Sequence, residues 1–105
     1  MLSDHRAIAD YDQAIELDPK YPYPYNNRGL AYKSKGDYEQ AIANYDQAIQ
    51  LDQKFALAFD NRGDSYKAKG ELDRAIADYS EAIGLSPDNA VYRDDRGNAF
   101  YAKGD

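Results

Sequence analysis

The chain has 105 residues, of which 43% are apolar and 30% charged, so it has room for one compact domain or a few stacked repeats. Its net charge of −6 disfavours nucleic acid and anionic membranes as partners, because both require clustered Lys and Arg side chains. The lack of cysteine excludes disulfides, thiolate metal sites and thiol nucleophiles, and no apolar run is long enough to span a membrane. We therefore expect a soluble, cytoplasmic protein.

The first two predicted helices are marked by proline and by capping residues. The spacing of apolar residues predicts a helix from Asp4 to Leu17, with Ser3 as its N-cap and Pro19 beyond its end. A second helix is predicted to begin at Pro22, because a proline in the first turn removes no helical hydrogen bond.

The boundaries of the remaining helices are predicted from capping residues and from the spacing of apolar residues. Gly36 is predicted to end the second helix in a left-handed conformation, and Asp37 to cap the third, which runs to Leu51 on an amphipathic pattern. The same pattern predicts a fourth helix and a fifth that ends near Leu85. A sixth helix is predicted over 90–103.

The residue pattern repeats every 34 positions. The tripeptide Asn/Asp-Arg-Gly occupies 27–29, 61–63 and 95–97, and the tripeptide Ala-Ile-Ala recurs with the same spacing. Six of the seven glycines occupy only two positions of this frame, so the repeat is not accidental. Each unit holds two helices, and neither helix can bury its apolar face alone.

The repeated motif places aromatic residues, glycine and alanine at fixed spacings: Tyr25, Arg28, Gly29, Tyr32, Gly36, Tyr38, Ala41, Tyr45 and Ala48. This motif resembles the tetratricopeptide repeat, and the resemblance covers essentially the whole chain. It implies an all-α, right-handed solenoid of six helices that binds other proteins or peptides and has neither catalytic activity nor a cofactor.

One position departs from that family, in which leucine is frequent where this chain has Arg28, Arg62 and Arg96. Two environments remain open for these arginines. The guanidinium pairs with a carboxylate such as Asp12 or Asp46, or it lies in water while its stem covers apolar surface.

The repeats are out of phase with the usual frame of the family. Residues 4–21 match a second helix, 22–55 and 56–89 match whole repeats, and 90–105 match a first helix, within a single array over 1–105. The frame suggests a chain cut in the middle of a helical hairpin.

The two half-repeats carry complementary faces, which predicts end-to-end self-association. The expected contact residues lie on the first and last helices: Ala7, Tyr11, Ala14, Gly97 and Phe100. Fraying of the terminal helices in dilute solution is the alternative, and a filament, a ring and an exchanged dimer all remain open as products.

The resemblance also implies a concave groove that takes a peptide. Its predicted lining comes from the first helix of each repeat: Tyr23, Asn26, Leu30, Lys33, Leu57, Asp60, Asn61, Asp64, Lys67, Asp94, Asn98 and Tyr101. A clamp of Lys, Asn and Arg holds chaperone carboxylates in some relatives. Here Asn61 fits that clamp, but Val91 and Asp95 replace its final cations, so a basic or neutral peptide is favoured.

Catalytic, cofactor and metal sites are not expected. His5 is the one histidine and has no Ser or Cys partner in a recognisable motif, and the acidic pairs resemble no calcium loop. Two alternatives to self-assembly remain open. The chain is a fragment of a larger scaffold whose acidic groove binds a peptide, or an engineered or truncated chain without a ligand.

Overall fold

The computed structural model describes residues 2–104; Met1 and Asp105, which the predicted array includes, lie outside the described residues. The described chain forms six helices: α1 (Leu2–Leu17), α2 (Pro22–Ser34), α3 (Tyr38–Leu51), α4 (Ala56–Ala68), α5 (Leu72–Leu85) and α6 (Ala90–Lys103). The all-α prediction is therefore confirmed.

The predicted helix boundaries hold at all but one position. The prediction that Ser3 caps the first helix is wrong, because α1 already includes Leu2 and the Ser3 backbone is helical rather than extended. Gly36 ends α2 with φ of 81°, as predicted. The side chain of Asp37 caps α3 by accepting a hydrogen bond from the backbone N–H of Gln40 at 3.2 Å.

The six helices form two compact units, Met1–Gln53 and Lys54–Asp105. In the first unit, α2 packs against both α1 and α3. In the second, α5 packs against both α4 and α6, and α4 also touches α6. Each unit is thus built around one helix that has a neighbour on two sides.

Alanine and tyrosine, rather than long aliphatic side chains, fill the most buried positions. In both α3 and α5 an alanine–tyrosine–alanine set at helical spacing has no exposed surface: Ala41, Tyr45, Ala48, Ala75, Tyr79 and Ala82. The alanines let helix backbones approach closely, and the large tyrosine rings fill the space between them.

Glycine makes room for the two buried tyrosines. A Cβ atom on Gly29 would lie 2.5 Å from Cε1 of Tyr45, and one on Gly63 would lie 2.7 Å from Cε1 of Tyr79. Both separations are far shorter than van der Waals contact, so α2 and α4 reach their neighbours only because these residues have no side chain.

Candidate functional site

The partners of the repeated arginines, which the sequence left open, are side chains on neighbouring helices. Nη1 of Arg28 donates to Oδ1 of Asp12 at 2.8 Å, and its Nε donates to Oδ1 of Asn44 at 2.6 Å. Of the two carboxylates proposed from the sequence, Asp12 is therefore confirmed. One partner precedes the arginine and the other follows it by the same interval along the chain, so Arg28 ties α2 to both α1 and α3.

The equivalent arginine of the second unit pairs at two points with a buried carboxylate. Nε and Nη2 of Arg62 donate to the two carboxylate oxygens of Asp78, each at 2.8 Å. The Asp78 side chain is only 7% exposed and that of Arg62 is 21% exposed, so water screens this two-point pair weakly. The Arg62 guanidinium also lies 5.5 Å from the ring centroid of Phe59.

Three carboxylates converge in the second unit: Asp60 and Asp64 of the predicted groove, and Asp95, which stands where the clamp of some relatives has a cation. Oxygen atoms of Asp60, Asp64 and Asp95 all lie within 4.8 Å of one another, on α4 and α6. Asp94, which the sequence also placed in the groove, is exposed, and it is the adjacent Asp95 that joins the cluster. Carboxylates so close together lower the local potential and favour a positively charged group at this face.

A buried tyrosine on α5 is hydrogen-bonded to this cluster. The hydroxyl of Tyr79 donates a hydrogen bond of 2.6 Å to Oδ1 of Asp64. Burial raises the pKa of the Tyr79 hydroxyl well above its ordinary value, and the hydrogen bond to Asp64 and the neighbouring carboxylates raise it further. The hydroxyl therefore remains protonated and orients the Asp64 side chain.

The other predicted groove residues differ in exposure. Three of the twelve are buried, namely Asn26, Asp60 and Asn61, and three are half-buried, namely Lys33, Asp64 and Lys67. The remaining six are exposed: Tyr23, Leu30, Leu57, Asp94, Asn98 and Tyr101. Four of those six are large apolar or aromatic side chains, so in each unit this face offers apolar contact area beside polar groups.

The faces predicted for self-association are partly open. Ala7, Tyr11 and Ala14 are half-buried, whereas their counterparts one and two repeat periods later are fully buried. Gly97 is exposed, and a Cβ atom built on it would meet no atom within 4 Å. Phe100 is half-buried beside it. These residues have the composition of the buried contacts within the repeats but lack the covering helix among residues 2–104.

Two further observations concern the lone histidine and the length and polarity of the helices. His5 is exposed on α1 and belongs to the first unit, whereas the acidic cluster belongs to the second. None of the helices in the described part of the chain is both long and apolar enough to cross a membrane.

Comparison with known families and structures shows what the chain is similar to. The family model described as TPR repeat matches residues 5–36, 29–70 and 63–104. The first TPR of Spaghetti (RPAP3), solved with an HSP90 peptide, superposes with a TM-score of 0.93 at 24% identity, covering 98% of this chain and 82% of that one.

Two other solved structures agree. The TPR domain of Arabidopsis OM64 gives a TM-score of 0.91 at 24% identity over 95% of this chain and 83% of that one. The second TPR domain of human RPAP3, solved with an HSP70 peptide, gives 0.86 at 30% identity over 91% and 80%. No curated protein sequence matches significantly.

Proposed function

The chain belongs to the tetratricopeptide-repeat family and is a protein–protein interaction module, and we propose that it assembles with copies of itself, α6 of one copy packing against α1 of the next. Catalysis has no part in this function. The observation that carries the proposal is the open surface at Gly97, the third glycine of a set whose other two members are covered by tyrosine rings.

The α6 face carries a glycine at the repeat position where α2 and α4 receive a tyrosine ring. Tyr45 follows Gly29 at the same interval as Tyr79 follows Gly63, and each ring lies against its glycine. No described residue covers Gly97 in this way. An exposed glycine in a helix interior lowers helix stability by roughly 1 kcal/mol relative to alanine, so a close approach there would account for its presence.

The α1 face supplies the matching tyrosine. Tyr11 lies one repeat period before Tyr45, and Ala7 and Ala14 flank it as alanines flank Tyr45 in α3. The second copy is therefore favoured as the occupant of the α6 face, because its α1 carries the side chains that cover glycine within each repeat. The two faces differ, so the contact is heterologous, and each added copy presents the same pair of faces again.

Light scattering across a concentration series tests this assembly. We expect the mass of the wild-type chain to rise with concentration, and Gly97→Leu to remain monomeric, because a leucine side chain would occupy the space that the Tyr11 ring needs. Tyr11→Glu should remain monomeric as well, because it would bury a carboxylate.

Matched variants separate a blocked contact between α6 and α1 from a general effect of each substitution. Gly84→Leu is the control for Gly97→Leu, since Gly84 is also helical and exposed with no atom within 4 Å of its Cβ position. Tyr21→Glu is the control for Tyr11→Glu, since Tyr21 is exposed before α2. Both controls should associate like the wild type. A wild-type mass that stays monomeric at every concentration would contradict the proposal.

A second candidate function is the binding of a basic peptide along α4 and α6. Its support is the acidic cluster of Asp60, Asp64 and Asp95, together with the exposed side chains of Leu57 and Tyr101 on the same two helices. We expect selection from a peptide library to enrich peptides with Lys or Arg next to an apolar residue. Asp95→Asn should weaken the binding of the enriched peptide. Asp88→Asn, in an exposed turn, is the control. Enrichment of acidic peptides, or equal binding by both variants, would contradict this function.

A further inference from the structure

Two of the three repeated arginines bind a polar side chain on the helix that follows them. Arg28 binds Asn44 and Arg62 binds Asp78, at the same interval along the chain in both cases. Asn44 and Asp78 each come directly before a buried tyrosine. The residue before that tyrosine is therefore the partner of the arginine on the following helix, which we call its forward partner.

Within the described chain, the hydrogen bond of Arg96 is made to the preceding helix. Its Nη1 donates to Oγ of Ser80 at 3.2 Å, and its guanidinium lies 6.0 Å from the ring centroid of Phe100. Ser80 precedes Arg96 by the same interval as Asp12 precedes Arg28. No helix follows α6 among the described residues, so the forward side of this half-buried guanidinium has no protein partner there.

Asp10 is the third member of the forward set. It comes directly before Tyr11, as Asn44 comes before Tyr45 and Asp78 before Tyr79. Asp10 is exposed on α1 and makes no hydrogen bond or ion pair within the described chain. The chain thus holds one arginine and one carboxylate that occupy corresponding halves of a contact made inside the other repeats.

We infer that Arg96 of one copy binds Asp10 of the next across the α6–α1 junction, in the manner of Arg62 and Asp78. This inference rests on the proposed self-assembly and adds the charge pair that selects its polarity. A contact between two α6 helices would place two Arg96 side chains and no Asp10 at one junction, and a contact between two α1 helices would place two Asp10 side chains and no Arg96 there. Those junctions would hold like charges without a partner, whereas the head-to-tail junction pairs opposite charges.

A charge-swap experiment tests the pair. Arg96→Asp and Asp10→Arg should each weaken self-association by about tenfold or more, because each places like charges at its own junction. An equimolar mixture of the two variants should associate again. In an alternating chain, the two introduced side chains meet at one junction, and the native Arg96 and Asp10 meet at the next. The mixture also controls for folding, since a variant that did not fold could not rescue the other.

Two further variants match the changes in net charge. Lys20→Asp changes the charge as Arg96→Asp does, and Asp88→Arg changes it as Asp10→Arg does; Lys20 and Asp88 are both exposed in turns outside the junction faces. Both control variants should keep wild-type association. Sedimentation equilibrium at low and moderate salt measures the wild type, the variants and the mixture, and the wild-type association should weaken as salt screens the pair.

The outcomes separate this inference from the proposal beneath it. If the wild type does not associate, the self-assembly proposal fails, and the pair fails with it. If the wild type associates but both charge variants associate equally well, the junction stands and the Arg96–Asp10 pair is overturned. Weakening in the single variants without recovery in the mixture would also overturn the pair, because complementary charges would then have no effect.

Discussion

Arg62→Leu is expected to lower the free energy of unfolding by about 3 kcal/mol, because it removes the cation that faces a buried carboxylate. The Asp78 side chain is 7% exposed and accepts two hydrogen bonds of 2.8 Å from Arg62. Leucine covers the same apolar surface as the arginine stem but donates no hydrogen bond, so the charge of Asp78 would remain largely desolvated. Urea denaturation followed by circular dichroism measures the change.

Two comparisons distinguish loss of the ion pair from loss of an arginine. Arg93→Leu is the control, since Arg93 is exposed on α6 and makes no contact with a charged group in the described chain; its unfolding midpoint should stay close to that of the wild type. The double variant Arg62→Leu/Asp78→Leu should recover most of the loss, because an apolar pair needs no counter-charge. Equal stability of Arg62→Leu and Arg93→Leu would contradict the assigned role of the pair.

Gly63→Leu should lower the free energy of unfolding by about 3 kcal/mol through overpacking against Tyr79. Even a Cβ atom at position 63 would lie 2.7 Å from Cε1 and 2.9 Å from Cδ1 of the Tyr79 ring, and the rest of a leucine side chain extends beyond it. The ring cannot move aside easily, because it has no exposed surface and its hydroxyl is hydrogen-bonded to Asp64. The α4–α5 pair must therefore separate or tilt.

The same substitution at an open glycine should have the opposite sign. Gly84→Leu places a better helix former at an exposed position with free space around it, which predicts a gain of roughly 0.5–1 kcal/mol. Thermal melts in dilute solution measure both variants, so that self-association does not contribute to the midpoint. If Gly63→Leu melted at the temperature of Gly84→Leu, glycine would not be needed for the approach of α4 to α5.

Local sequence patterns predicted the helices and their boundaries. Pro22, Gly36 and Asp37 each act within a single turn of the backbone, so their effect on φ and on the terminal N–H groups does not depend on distant residues. Ser3 is the exception. An N-cap residue helps a helix begin but does not prevent it from beginning earlier, and α1 already includes Leu2.

The candidate sites were predicted less completely, because they depend on contacts between helices. The face of α4 that carries Asp60 and Asp64 follows from helical spacing, but no local pattern reveals that Asp95 rather than Asp94 approaches them. The burial of Asn26 and Asn61 was missed for the same reason. A constant interval between arginine and a polar side chain was the available signal for the ion pairs, and it becomes recognisable only once Arg62 is seen to reach Asp78.

Repetition and short-range stereochemistry thus specify the family, the number of helices and the residues that must be small. A constant repeat period, with glycine and alanine at fixed places within it, permits one kind of helical hairpin, since other residues would hold the helices apart. Which polar groups meet, and which faces stay uncovered, depends on the angle and distance at which helices pack. Those quantities arise from the whole set of side chains in each unit, so Arg28 acquires two helix-bridging partners while Gly97 remains open.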